Sequence, residues 1–163
     1  MVTHVESRQV ISHTPDWSAG VWAGLIAGLV FLVLELALVP VFMGMSPWAP
    51  VRMIAAIIMG QGVLPPPDTF DLGIFLAAGA VHFGLSIVLG LILAGIFTWL
   101  HLDSSAWLSL LAGAVFGLVV YFVNFYGMTS FFPWFADARN WLSITVHAIF
   151  GIVAALAYKK MRA

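Results

Sequence analysis

The 163-residue chain has no cysteine and few charged residues. The absence of cysteine excludes disulfides, thiolate metal sites and thiol catalysis. Charged residues make up 8% of the chain, against roughly 25% in soluble domains, and a formal net charge of -1 gives no sign of a nucleic-acid partner. A phosphate-binding glycine loop, an H-E-x-x-H helix and a G-x-S-x-G turn are also missing from the sequence. We therefore expect no catalytic activity from the chain on its own.

Apolar residues take up most of the sequence, 63% of its length, with a mean hydropathy of +1.08. A helix needs about 20 apolar residues to cross a bilayer. Four segments reach that length, at about 19–43, 71–99, 106–127 and 141–158. The sequence therefore predicts an all-α integral membrane protein, with residues 1–163 forming a single membrane domain built on a bundle of four transmembrane helices.

Two further segments are apolar but do not form spans. Residues 50–60 have apolar residues at helical spacing, yet a helix of that length covers only about 16 Å. Residues 128–140 are rich in aromatic side chains. We predict that the first forms an interfacial or re-entrant helix and the second an interfacial segment, both on the outer side of the membrane. The polar tail at 1–17 is expected to be loosely ordered.

The distribution of basic residues predicts the orientation of the chain. Four of them lie near the termini: Arg8, Lys159, Lys160 and Arg162. The other two, Arg52 and Arg139, lie in the loops of the opposite face. Because positive residues near span ends mark the cytoplasmic side, both termini are predicted to be cytoplasmic.

The two halves of the chain carry the same landmarks in the same order. Trp22 pairs with Trp107, Pro47-Trp48 with Pro133-Trp134, Arg52 with Arg139, and Val81-His82 with Val146-His147. We interpret this order as a tandem duplication of a helical hairpin, with repeats at about 18–100 and 104–160. Since each repeat contains an even number of spans, both enter the membrane from the same side, related by a pseudo-two-fold axis along the membrane normal.

The duplication places His82 and His147 at equivalent positions in the second and fourth spans, roughly 10–16 Å from the outer span ends. An ionisable side chain inside a span is costly enough to indicate a function. If these two spans flank the axis, the imidazoles approach each other and suit a haem such as haem b, or a divalent metal ion. Small neighbours would leave room for a cofactor: Gly79, Gly84 and Gly151. Alternatively, the histidines carry a proton, or each bonds a backbone carbonyl or hydroxyl and holds helices together.

Glu35 is the other ionisable residue inside a span, where a carboxylate is costly to bury in lipid. We place it in the inner-to-middle part of the first span, and the repeat aligns it with Val120. With His82 and His147 it would complete a carboxylate and two-imidazole metal set, which suits zinc or iron. It would otherwise be protonated and hydrogen-bonded to a neighbouring helix. As an intramembrane carboxylate it is a functional candidate.

Three further polar residues are candidates for the site or its support. Asn124 lies inside an aromatic group at the end of the third span. Arg52 and Arg139 are expected to pair with aspartates at the outer surface, namely Asp68, Asp71 and Asp137. Surface ion pairs of this kind contribute about 0–1 kcal/mol, so they would orient loops more than they stabilise the fold.

Three phrases resemble the YagU-like small bacterial inner-membrane proteins: VHFGLSIVLG at 81–90, LLAGAVFGLVVYFVNFYGMTSFFPW at 110–134 and VHAIFGIV at 146–153. The resemblance covers roughly residues 80–155. It implies a bacterial inner-membrane location, a histidine in each of two spans and a link to acid tolerance. The Pro-rich loop at 60–70 is longer here than in that family.

Three functions agree with the sequence. The first is a membrane protein that binds haem or a metal ion through His82 and His147. The second is a non-catalytic accessory subunit of a larger membrane complex, for example a respiratory complex. The third is a proton or small-solute path formed by an oligomer, since four helices alone leave little room for a pore.

Overall fold

The computed structural model describes residues 14–162. These residues fold mainly into helices, and no strand occurs in that range. Arg8 and most of the polar tail lie outside the described residues. Four helical segments are long and apolar enough to cross a membrane: Trp17–Met43, Leu72–Leu100, Ala106–Ser130 and Trp141–Arg162. The predicted helical class and the four candidate spans are therefore confirmed.

Five α-helices make up the fold. They are α1 (Trp17–Leu38), α2 (Trp48–Met59), α3 (Leu72–Leu100), α4 (Ala106–Phe122) and α5 (Trp141–Arg162). Helix α1 continues into a π-helical turn at Val39–Met43, and α4 into another at Val123–Gly127. Short 3-10 turns follow at Gln61–Val63, Met128–Ser130 and Pro133–Ala138. Helix α2 is the short helix that the apolar run at 50–60 predicted.

Each long helix begins at a polar residue that caps its first turn. The caps are Asp16, Asp71, Ser105 and Asn140, and each accepts a hydrogen bond from the backbone N–H three residues further on. Such caps satisfy amide groups that have no partner within the helix. The cap of α4 is Ser105, the last residue of the 101–105 loop.

The four long helices form an open layer in the order α3, α1, α5, α4. Helices α1 and α5 lie in the middle, and α3 and α5 touch only slightly. The fourth span, α5, is therefore central, whereas the second, α3, lies at the edge, so the condition that these two spans flank the axis is not met. The buried face of α1 explains the order, because it consists entirely of small residues that admit a neighbour closely on each side: Ala19, Gly20, Ala23, Gly24, Ala27 and Gly28.

Two seams of glycines hold the layer together. The α1–α3 seam contains Gly20, Gly24, Gly28 and Gly90, and the α4–α5 seam contains Gly113, Gly117 and Gly151. A Cβ atom added at Gly24 would collide with the backbone of Ser86, and one added at Gly117 would collide with the backbone of His147. Close approach of the backbones therefore depends on these positions having no side chain.

The layer has two ends, which we call the terminal face and the loop face. The terminal face carries the start of α1 and the end of α5, and the loop face carries α2 and the segments at 61–70 and 128–138. At the terminal face, Arg162 bonds the Asp103 carboxylate at 2.7 Å and the Thr98 hydroxyl at 3.0 Å. Thr98 also bonds the hydroxyl of the fully buried Tyr158 at 3.0 Å. This network ties α3, α5 and the 101–105 loop together.

Candidate functional site

His82 is fixed by a hydrogen bond across the α1–α3 seam. Its Nε2 lies 2.8 Å from the carbonyl oxygen of Gly28. Because a carbonyl only accepts, Nε2 carries the proton and Nδ1 is the acceptor nitrogen of the neutral ring. Gly28 permits this approach, since a Cβ atom there would lie 2.5 Å from the Ser86 hydroxyl and 3.4 Å from His82 Nε2.

His147 has a different set of partners and is buried, with 4% of its surface exposed. Its Nδ1 donates to the Ser143 carbonyl one turn earlier on α5, at 2.8 Å. Its Nε2 lies 3.5 Å from the amide nitrogen of Asn124, a long contact in which the amide donates. Three aromatic rings pack edge-on against the imidazole, with ring centroids 4.9–5.6 Å from its own; they belong to Phe31, Tyr121 and Phe125. His147 is therefore a core histidine in the opposite tautomer to His82.

Phe31 of α1 contacts both imidazoles. Its ring centroid lies 5.5 Å from that of His82 and 4.9 Å from that of His147. Sequence analysis did not single out Phe31, although its position one helical turn before Glu35 places the two on one face of α1. The phenyl ring occupies the region that both histidines approach.

A bis-histidine haem does not fit this arrangement. Such a haem needs a ring nitrogen from each histidine on a single iron atom. Here Phe31 contacts both rings, and the cavity beside His82 measures about 10 Å³. The Nε2 proton of His82 is also already donated to Gly28. His82 and His147, which were predicted as haem ligands, each bond a backbone carbonyl in this fold instead.

The predicted metal set is not assembled either. Within residues 14–162, no three histidine, aspartate or glutamate side chains are grouped so that they could hold a metal ion. Glu35 and His82 line one cavity, whereas His147 lies against Phe31, Tyr121 and Phe125 on the α4–α5 side. Glu35 and His82 thus lie in one place, and His147 lies in another.

Glu35 and His82 share a cavity between α1, α2 and α3. Its walls are Phe31, Leu32, Glu35, Leu36, Pro47, Pro50, Val51, Ile54 and His82. A volume of about 10 Å³ is close to the minimum that holds one water molecule. No hydrogen bond to the half-buried Glu35 carboxylate occurs within the part of the chain that the structure describes. The carboxylate and the imidazole are therefore the ionisable groups of this cavity.

The depth of Glu35 differs from the prediction. Counted along the helix from Met43, Glu35 lies about 12 Å from the loop face, and His82, counted from Leu72, lies about 15 Å from it. The sequence analysis placed Glu35 in the inner-to-middle part of its span. The span ends at Met43, as predicted, so Glu35 lies in its loop-side half, close to the level of His82.

Arg52 and Arg139 bind backbone carbonyls, which corrects the prediction that they pair with aspartates. Arg52 donates to the carbonyls of Val63 at 2.8 Å and Thr69 at 3.0 Å. Arg139 donates to the carbonyl of Phe125 at 2.7 Å. The ion pair found among residues 14–162 is instead that of Arg162 with Asp103. Loop carbonyls have no helical N–H partner, so a guanidinium with several donors satisfies them well.

Comparisons of the chain with protein-family models, with curated proteins and with solved structures found no match. The resemblance to the YagU-like proteins therefore remains a prediction. A functional assignment has to come from the geometry of the site.

Proposed function

We propose that the chain is a proton-conducting membrane protein in which Glu35 and His82 form a proton-transfer pair. The observation that supports this proposal is that both side chains line one water-sized cavity. Carboxyl and imidazole groups are the usual proton donors and acceptors in proteins. A carboxyl group within an apolar span is also costly to retain without a function. The size of the cavity favours the proton over a larger solute.

The surroundings of the pair favour exchange between these two groups. A proton that enters the cavity binds His82 at Nδ1, the acceptor nitrogen left by the bond to Gly28, and passes to the Glu35 carboxylate. On α2, the charged group is Arg52, whose guanidinium is directed to the carbonyls of Val63 and Thr69. On α5, the nearest titratable group is His147, which contacts Phe31. Exchange within the cavity is therefore expected to involve Glu35 and His82 alone.

We assign the protein to the bacterial inner membrane, with the terminal face in the cytoplasm. The last turn of α5 carries Lys159, Lys160 and Arg162, and basic residues at span ends favour the cytoplasmic side. The site would then lie in the outer half of the membrane. Toward the cytoplasm, close packing of Gly24 on Ser86 leaves no space in the α1–α3 seam. We therefore assign the inner part of the path to an interface between copies of the chain.

We also propose that the two halves are tandem copies related by a pseudo-two-fold axis between α1 and α5. Both halves begin with a capped helix, at Asp16 and Ser105, and both first helices end in a π-helical turn. Each seam glycine pair, Gly24 with Gly28 and Gly113 with Gly117, packs on the histidine-bearing helix of its own half. The caps and the seam glycines share one sequence offset, which differs by one helical turn from the alignment of Trp22 with Trp107. The π-helical turns do not share that offset.

This alignment pairs Glu35 with Asn124 instead of Val120. Glu35 shares a cavity with His82, and Asn124 contacts His147. Each half would then place one polar side chain beside its histidine, a carboxylate in the first half and an amide in the second. Because an amide does not titrate, the first half would carry protons and the second would be structural.

Proton flux into liposomes tests the proposal. Purified protein is reconstituted with a pH-sensitive dye inside the vesicles, and a pH gradient is imposed. Glu35→Gln keeps the shape of the side chain but removes its proton exchange, so we expect flux to fall by about 100-fold. Asp137→Asn is the matched control, because it removes a carboxylate away from the cavity, and it should retain flux. Equal flux in both variants, or no flux in the folded wild-type protein, would refute the proposal.

A second candidate is a non-catalytic subunit of a larger membrane complex. The observation that favours it is the open layer, in which α3 and α4 each pack extensively on one long helix. The outward side of α3 includes Gly84, whose surroundings are empty within 4 Å. Isolation of native membranes in mild detergent tests this candidate. A stoichiometric complex with another protein, together with no flux from the isolated chain, would support it over proton conduction.

A further inference from the structure

We infer that Gly79 keeps open a second water-sized space beside His82, which forms the outer entrance to the Glu35–His82 cavity. The inference rests on the proposed proton path and identifies a residue that controls access to it. It assigns a role to a glycine that belongs to neither glycine seam. The ligand of this space is water, or a proton carried by water.

The first observation is a second cavity on the other side of His82. It also measures about 10 Å³, and its walls are Leu32, Val51, Ile54, Phe75, Ala78, Gly79 and His82. Leu32, Val51, Ile54 and His82 line both cavities. Two spaces that each hold about one water molecule are therefore separated by a shared set of side chains that includes the imidazole.

The second observation concerns the direction of this cavity. Phe75, Ala78 and Gly79 precede His82 on α3 and so lie nearer to the loop face, at helical spacing. The other cavity is the one that contains Glu35. Gly79, about 10 Å from the loop face when counted from Leu72, therefore lies on the loop side of His82. A proton from outside would pass through this space to reach the imidazole.

The third observation is the empty environment of Gly79. A Cβ atom added there would have no atom within 4 Å. Gly79 thus differs from Gly24 and Gly90, whose added Cβ atoms would collide with backbone. Packing does not require a glycine at position 79. A larger side chain at this position would project into the space next to His82 and fill it without displacing a helix.

The aromatic side chains above the space define where it ends. Trp48 of α2, Phe70 and Phe75 pack together, with ring centroids 4.9–6.2 Å apart. This cluster covers the space from the loop face. Water would therefore reach His82 through the gap between α2 and α3 at Gly79, beneath the cluster.

Silver ions test this inference, because Ag⁺ is small enough to follow a water path and binds a thiol as the thiol loses its proton. The chain has no cysteine, so His82→Cys supplies a single reactive site. The reaction is followed as the loss of thiol available to a maleimide after denaturation. We expect the thiol at position 82 to react with Ag⁺ added from the loop side.

A series of variants at position 79 decides the role of the glycine. In the His82→Cys background, the reaction should slow in Gly79→Ala and be lost in Gly79→Leu. Gly84→Leu is the matched control, because Gly84 lies on the same helix, has nothing within 4 Å and lines neither cavity. An unchanged reaction in Gly79→Leu, or an equal loss in Gly84→Leu, would overturn the inference. An unfolding midpoint measured for each variant shows whether it is folded.

The same variants separate this inference from the proposed function. With His82 present, Gly79→Leu should reduce proton flux and Gly84→Leu should not. If wild-type protein conducts no protons but Ag⁺ access depends on position 79, the entrance stands and the proton function fails. If flux depends on Glu35 but Ag⁺ access is independent of position 79, the proton function stands and the entrance fails.

Discussion

His82 donates a hydrogen bond from Nε2 to the carbonyl of Gly28, 2.8 Å away on the neighbouring helix. The bond defines the tautomer of the imidazole and leaves Nδ1 as its acceptor. It forms because Gly28 has no side chain to hold the two helices apart. Helix packing and the protonation state of the candidate site are therefore coupled at this contact.

The glycine seams should be sensitive to a single methyl group. Gly24→Ala places a Cβ atom against the backbone of Ser86, which neither helix can move aside cheaply. We expect it to lower the free energy of unfolding by about 1–3 kcal/mol, as for overpacked cores. Gly84→Ala, on an open face, should leave that free energy unchanged or slightly higher. Reversible unfolding in mixed micelles measures the stability of both variants. Equal stabilities of Gly24→Ala and Gly84→Ala would contradict the claim that the seam needs glycine at position 24.

The protein should not bind haem through its two histidines. Phe31 contacts both imidazoles, and no space for a porphyrin exists beside His82. Titration of the purified protein with haemin should give no bis-imidazole absorbance spectrum. A spectrum of that kind that disappears in both His82→Ala and His147→Ala would show that the helices separate to admit the cofactor.

Arg52 should not be replaceable by lysine. Its guanidinium donates to two carbonyls of the 60–70 segment, whereas an ammonium group is a single point on a flexible stem. We expect Arg52→Lys to cost about 1–3 kcal/mol of unfolding free energy. Arg139→Lys is the comparison, because Arg139 makes similar carbonyl contacts from an exposed position. If Arg139→Lys lowered the unfolding free energy as much as Arg52→Lys, the partial burial of Arg52 would not be the cause of its effect.

The terminal-face ion pair should contribute modestly and depend on salt. Asp103 and Arg162 are 2.7 Å apart, with side chains 25% and 20% exposed. We expect Asp103→Asn to lower the free energy of unfolding by about 1 kcal/mol or less, and by less still at high ionic strength. Unfolding curves at two salt concentrations provide the measurement. A loss that salt does not reduce would point to the hydrogen bonds of the network and away from its charges.

Thiol labelling should reveal the orientation of the chain. The sequence contains no cysteine, so Met59→Cys and Lys160→Cys each give one site, at the loop face and the terminal face respectively. Both parent residues are exposed. A membrane-impermeant maleimide added to intact cells should label position 59 and leave position 160 unlabelled until the cells are opened. The reverse pattern would place the Glu35–His82 cavity on the cytoplasmic side.

The parts of the fold that depend on local composition were predictable. Long apolar runs predicted the four candidate spans, and the short run at 50–60 predicted α2. The cost of an ionisable group among apolar residues drew attention to Glu35 and His82 without any knowledge of their neighbours. Their shared cavity was not predictable in detail, because it depends on which faces of α1, α2 and α3 meet.

The sequence by itself determined the helical class, the number of candidate spans and the residues worth testing, since hydrophobicity and charge act within one segment. Only the tertiary structure decided that α1 and α5 are central, that Phe31 contacts both histidines and that His82 and Glu35 line one cavity. Apolar helices have similar compositions on every face, so hydrophobicity does not select their neighbours. The selection comes from the fit of glycine and alanine faces on separate helices, which is a property of two surfaces together.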